Sequence, residues 1–171
     1  MSKLERTTHI LLIVVSLAGL AAIVRHEFFP ASLGPRRSGP ELVGSRLAVP
    51  GMSLPKNPGL ALVVAVRSDC HFCTESLPFY REVDRLRKIA RAPVPLFFIS
   101  TDPVERLRAF VEGADISPDG IMSVDFRALG VAGTPTLAVI DSAGIVKRAF
   151  YGRLTERNAR EVLAMVQKAV L

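Results

Sequence analysis

The chain has 171 residues, 49% of them hydrophobic, with no tryptophan and a formal charge of +6. That length suits one ordinary domain with an appendage, and part of the apolar share is concentrated in one N-terminal block, which excludes a multispan membrane protein. Arginines alternate with acids, as in Tyr80-Arg81-Glu82-Val83-Asp84-Arg85, so the basic balance reads as a solvated helix face rather than a nucleic-acid stripe.

Residues 10–24 form an apolar run without charge. Extended to about 17 residues it spans about 25 Å, the short end for a bilayer helix. The run predicts a signal anchor within residues 1–27. Cleavage near Gly19-Leu20-Ala21 is the alternative, but Ile23-Val24 continue the apolar stretch and favour an uncleaved helix. Lys3 and Arg6 precede the run while Arg25, Arg36 and Arg37 follow it, a balance that leans slightly against export. A single apolar segment ahead of one small domain is the usual export layout, and on that ground the domain is expected to be periplasmic or otherwise extracytoplasmic. No cysteine lies in or just after the run, which excludes a lipoprotein anchor. Residues 28–42, with Pro30, Gly34, Pro35, Gly39 and Pro40, read as a linker, leaving 43–171 as the domain.

Within that domain, residues 43–54 alternate weakly about Pro50-Gly51 and suggest a hairpin, and Asn57-Pro58-Gly59 turns into a buried strand at 62–66. After it, Phe79, Val83, Leu86 and Ala90 form one apolar stripe on a helix reaching about Arg91, with a kink expected at Pro78. A second buried strand follows at 94–99. Thr101-Asp102 then reads as a cap, with Pro103 opening a helix that turns Val104, Leu107 and Val111 inward and stops at Gly113. A short element at Ile121-Met122 and a helical turn at 126–129 lead to a strand at 136–140. The turn Asp141-Ser142-Ala143-Gly144 returns an antiparallel strand at 145–151, and Thr155 caps a last helix carrying Val162, Val166 and Ala169.

The only two cysteines, Cys70 and Cys73, stand three apart where the first strand gives way to the first helix. A thiol at a helix N-terminus faces unpaired amides and the positive end of the macrodipole, both of which favour thiolate. Lowering its pKa from about 8.5 to about 6.5 raises the thiolate share at pH 7 to roughly three quarters. Cys73, one turn on, can reach back and close a disulfide. Three other readings compete. Half a zinc site would need partners beyond His9, His26 and His71, a haem attachment would need histidine where Thr74 stands, and a purely structural pair needs no particular placement. His71 can tune the Cys70 thiolate by a hydrogen bond or positive charge, which Asp69 would oppose.

Cys70-His71-Phe72-Cys73, Pro78 five residues after the second cysteine, and Gly133-Thr134-Pro135-Thr136, in this order of strands and helices, resemble the thioredoxin fold. More narrowly they are similar to the membrane-anchored TlpA/ResA-type thiol–disulfide oxidoreductases, over roughly residues 43–171. The resemblance implies an α/β, three-layer fold with a central mixed sheet flanked by helices, preceded by the transmembrane helix. It implies that Cys70 attacks a substrate disulfide, that Cys73 resolves the mixed disulfide, and that a cis Pro135 with Thr134 docks the substrate strand. It also implies protein thiols and disulfides as substrates, a redox partner protein, and no cofactor or metal beyond the Cys70–Cys73 disulfide. The chain departs from the family in having Asp69 and Phe72 where tryptophan and proline are usual. Val64 stands where thioredoxin has a buried aspartate, so the family's proton relay is missing; Glu75 is a candidate for that role or simply an exposed first-turn residue. A thioredoxin-like copper-delivery module of the Sco type and a non-catalytic adaptor are the alternatives from other classes. Peroxidase chemistry lacks its threonine-rich loop around Cys70. Either direction of electron flow is compatible with these residues.

Overall fold

The computed structural model describes residues 42–54, 59–89 and 94–168. The expected anchor, the linker up to residue 41, the Asn57-Pro58 part of the first turn, and Ala90, Arg91 and Ala169 lie outside the described residues. Among the described residues no helix is long and apolar enough to cross a membrane.

The apolar stretch at 60–65 has no polar position to offer solvent, and it forms β1 (Leu60–Ala65) at the centre of a five-stranded mixed sheet. The other elements are α1 (His71–Ile89), β2 (Leu96–Ser100), α2 (Val104–Glu112), β3 (Gly120–Ser123), β4 (Thr136–Asp141), β5 (Val146–Tyr151) and α3 (Glu156–Lys168). Their order across the sheet is β3-β2-β1-β4-β5. β1 and β2, and β2 and β3, run parallel, as strands joined by helical crossovers must. β4 is antiparallel to both β1 and β5. The β4–β5 turn is tied by Asp141, whose Oδ1 accepts from the amides of Ala143 and Ile145, both at 2.9 Å, while Gly144 takes φ +78°.

Both faces of the sheet are covered, which is why its inner strands are apolar without alternation. On one face Leu62, Val64, Leu96, Phe98, Leu137 and Val139 pack with Cys73, Tyr80 and Val83 of α1, Leu107 and Val111 of α2, and Val162 and Val166 of α3. On the other, Ala61, Val63, Phe97, Ile99 and Ile140 are covered by irregular chain that contributes Leu42, Leu47, Val49, Phe126 and Val131. The expected hairpin at 43–54 is therefore replaced by a strap. It meets the start of β5 through one bridge, Arg46 to Ile145, flanked by the Gly44 amide on Val146 O at 2.8 Å and the Val146 amide on Ser45 O at 2.9 Å, and φ is positive at Gly44 and Gly51. The helical turn expected at 126–129 is a hydrogen-bonded turn closed by the Val131 amide on Phe126 O at 2.9 Å. The short element at 121–122 is a true edge strand.

The buried stripe of α1 runs through Cys73, Ser76, Tyr80 and Val83, with Phe79 and Leu86 on its shoulder. It is rotated from the expected stripe because the Tyr80 ring inserts edge-on against Phe98, centroids 5.8 Å apart. The Tyr80 hydroxyl is hydrogen-bonded to Ser76, and that bond removes the cost of burying it. α1 runs unbroken through Pro78, which supplies no amide to the Thr74 carbonyl. α2 and α3 begin and end close to their expected limits, and Thr155 Oγ1 caps α3 by accepting from the Asn158 amide at 3.3 Å.

The alternating charges of α1 are not all solvated. Asp84 is buried, paired with Arg87 at 2.7 Å and Lys88 at 2.6 Å. Its carboxylate also accepts from the Ser117 amide at 3.1 Å, and Arg87 reaches Asp119. Burial opposes the Asp84 carboxylate, but Lys88, the Ser117 amide and Arg87 together hold it below the usual carboxylate range. Asp84→Ala leaves Arg87 buried with one carboxylate instead of two and should lower the free energy of unfolding by about 2 kcal/mol or more. Urea denaturation measures this directly.

Candidate active site

Residues 67–70 carry the chain from the buried end of β1 to the first turn of α1, through a turn in which the Cys70 amide donates to Arg67 O at 3.2 Å. Cys70 immediately precedes α1, in the N-cap position. Its sulfur receives the Cys73 amide at 3.3 Å, so a thiol occupies the place where a capping hydroxyl or carboxylate normally satisfies an orphan amide. Partial burial raises the Cys70 pKa. Hydrogen bonds from the Cys73 thiol, from Thr134 and from the amides of Cys73 and Phe72 outweigh that burial and bring it below its ordinary value. Cys73 lies inside the first turn and is fully buried. Burial, and then the hydrogen bond it donates to Cys70, push its thiol up to about 12. Both cysteines are free thiols. One half of the pair is thus prepared as a nucleophile and the other as a proton-holding reserve.

The third component comes from the segment ahead of β4. The Thr134–Pro135 bond is cis, and Thr134 O accepts from the Cys70 thiol at 3.5 Å. Thr136 Oγ1 donates to Gly133 O at 2.8 Å and the Gly152 amide to Pro135 O at 2.7 Å, so this segment is fixed from both sides. Cys70, Cys73, Thr134 and Pro135 are brought together.

His71 is placed elsewhere. Its ring is 78% exposed, and Nε2 lies 3.2 Å from Glu75 Oε1. Asp69 pairs with Arg67 at 2.6 Å. Glu75, in the second turn of α1, pairs in addition with Arg153 at 3.1 Å, joining that helix to the loop after β5. The buried surroundings of Cys73 hold no carboxylate from Val64, which is apolar and fully covered; the titratable neighbour on that side is Tyr80, whose hydroxyl is pushed up by burial and then by the charge of Cys73.

Two residues at the site escaped sequence reasoning. Tyr151, about half exposed, lies over Gly133 so closely that a Cβ there would come within 2.5 Å of its hydroxyl. It therefore accounts for the glycine before Thr134, and nothing in a strand-end tyrosine announces that. Asp102 does not cap α2, whose N-cap is Pro103 without a side-chain hydrogen bond. Its carboxylate accepts from the Ser68 amide at 2.7 Å instead. Among the described residues no group of three His, Cys, Asp or Glu side chains could hold a metal ion.

No family model matches the chain, and no curated protein matches it. Solved structures do. A candidate thiol:disulfide interchange protein DsbE from Chlorobium tepidum superposes with a TM-score of 0.58 at 17% identity, covering 75% of this chain and 98% of that one. The thioredoxin domain of a thiol-disulfide oxidoreductase from Bacteroides vulgatus gives 0.54 at 17% identity over 75% and 98%. The fold is thioredoxin-like. A secreted Mycobacterium tuberculosis disulfide oxidoreductase, homologous to DsbE of E. coli, gives 0.51 at 15% identity over 64% and 81%. At these identities the likeness is one of fold, and the chemistry of this chain rests on its own residues.

Proposed function

We propose that the protein is a thiol–disulfide oxidoreductase acting on protein dithiols and disulfides. The observation that carries this is the opposite placement of two thiols three residues apart: Cys70 is partly open at the N-cap of α1 with its sulfur receiving the Cys73 amide at 3.3 Å, whereas Cys73 is fully buried behind it. In the reducing direction the Cys70 thiolate attacks one sulfur of a substrate disulfide. The substrate S–S bond breaks, a Cys70–substrate mixed disulfide forms, and the leaving thiolate takes up a proton. Cys73 then loses its proton and attacks the Cys70 sulfur, releasing the second substrate thiol. The substrate gains two electrons and two protons, and the protein is left as the Cys70–Cys73 disulfide, which a partner dithiol protein reduces again. The oxidising direction is the same sequence reversed. Thr134 and the cis Pro135 offer the substrate strand its backbone contact beside Cys70, and His71 lies on the exposed side of the pair.

In this reading residues 43–171 are the working domain, held by an anchor in 1–27 and a linker in 28–42. The domain faces the extracytoplasmic side, in keeping with the apolar run 10–24 and with the secreted M. tuberculosis protein among the structural neighbours. A turnover assay in both directions tests the proposal: reduction of insulin by dithiothreitol and oxidation of a reduced protein whose native form carries disulfides. The wild type should accelerate at least one of them, and Cys70→Ser neither. A wild type inactive in both would leave a non-catalytic adaptor on a thioredoxin-like frame.

A further inference from the structure

The loop that delivers Cys70 is held from a distant part of the chain. Asp102, at the end of β2, is buried, with only 8% of its surface exposed. Its own amide is fixed by Ser100 Oγ at 3.0 Å, and its Oδ2 accepts from the Ser68 amide at 2.7 Å, across 34 residues of sequence. The turn that contains Ser68 also delivers Cys70: the Cys70 amide donates to Arg67 O at 3.2 Å, and the Cys70 sulfur receives the Cys73 amide at 3.3 Å. Because successive peptide planes share a Cα, fixing the Ser68 amide restricts the planes on either side of it.

We propose that Asp102 is a positioning residue for the dithiol: its carboxylate clamps the Ser68 amide and thereby keeps the 67–70 turn, and with it the Cys70 sulfur at the Cys73 amide, in register. An aspartate next to a helix start would ordinarily serve that helix as a cap. Here Pro103 occupies the N-cap position of α2 with no side-chain hydrogen bond, and the Asp102 carboxylate, one residue further out, serves the neighbouring loop. The inference rests on the thiol–disulfide reading of the same site and adds the residue that sets its geometry.

The test measures the equilibrium between the Cys70 and Cys73 thiols and glutathione for the full chain in detergent, comparing wild type, Asp102→Asn and Asp102→Ala. Asparagine keeps an oxygen for the Ser68 amide while removing the charge, and alanine removes both. Without the clamp the reduced pair loses hydrogen bonding to sulfur, so Asp102→Ala should favour the disulfide about fivefold or more relative to Asp102→Asn, the equivalent of one hydrogen bond. Where alanine does not fold, Asp102→Ser, whose hydroxyl is too short to reach Ser68, replaces it. Equal equilibria for the asparagine and alanine or serine variants, whether both match wild type or both shift alike, would overturn the proposal; so would a lowered melting temperature with the equilibrium unmoved. A wild type that forms no Cys70–Cys73 disulfide at all would instead remove the thiol–disulfide reading beneath it.

Discussion

Cys73→Ser should accumulate covalent complexes with other proteins, and Cys70→Ser should accumulate none. The asymmetry follows from where the two sulfurs sit. Cys70 lies at the N-cap with amides directed at it and part of its surface open, whereas Cys73 is fully buried in the first turn behind it. A serine at 73 leaves the attacking thiol with its Phe72 and Cys73-position amides and removes the group that would expel a captured substrate. The mixed disulfide then persists until an external thiol resolves it. A serine at 70 leaves only a thiol that solvent and substrate do not reach. Non-reducing gels of cells carrying each variant, with reducing lanes as control, display the difference; equal trapping by the two variants would contradict the division of roles.

The same asymmetry separates the thiols in reactivity and gives the reduced protein an unusual pH dependence. With its thiol pushed up to about 12 by burial, Cys73 is almost entirely protonated at pH 7. Iodoacetamide should therefore modify Cys70 and not Cys73, as mass spectrometry of peptides from the alkylated protein will show. In the unfolded chain both thiols titrate near about 8.5. The depressed Cys70 pKa contributes stability that is present above that value and is lost as pH falls through the folded pKa, because the folded state then has to take up the proton that the unfolded state already holds. The raised Cys73 pKa acts on the alkaline side. Between about 8.5 and 12 the unfolded chain has released that proton and the folded protein has not, so stability falls as pH rises, at up to about 1.4 kcal/mol per pH unit. Considered for this pair alone, the reduced protein is most stable near pH 8.5. Urea unfolding under dithiothreitol should show the decline setting in near about pH 8.5, and Cys73→Ser should remove the part below about pH 10, above which the buried Tyr80 hydroxyl adds its own. A decline between about pH 8.5 and about pH 10 that survives in Cys73→Ser would assign it to other groups.

The sheet was legible because its strands are uninterrupted apolar runs, and the strand-to-helix junction at Cys70 followed from the change of period there. The β4–β5 hairpin was legible from Asp141-Ser142-Ala143-Gly144, whose local hydrogen bonds are the ones such residues make. What escaped depended on contacts distant in sequence. Val49, Leu47 and Leu42 alternate weakly enough to suggest strands, yet they are spaced to cover a sheet face and make a single bridge. Tyr80 took the centre of the α1 stripe from Phe79 because Ser76, one turn earlier, could satisfy its hydroxyl. Asp102 looked like a cap since its partner, the Ser68 amide, lies in another segment. His71 sits in the motif, but its nearest charged partner is Glu75, one turn along the same helix, and sequence alone offers no means of choosing between that carboxylate and the Cys70 sulfur.

Cys70 and Cys73 should form one reversible redox couple, and equilibration of the full chain with glutathione buffers, followed by acid quench and mass analysis, measures it. The expected result is a single two-electron transition from two free thiols to an intramolecular Cys70–Cys73 disulfide, with a midpoint inside the range of about −270 to −120 mV occupied by thioredoxin-fold dithiols. Independent glutathione adducts on the two cysteines, or thiols that remain free across the whole buffer range, would contradict it.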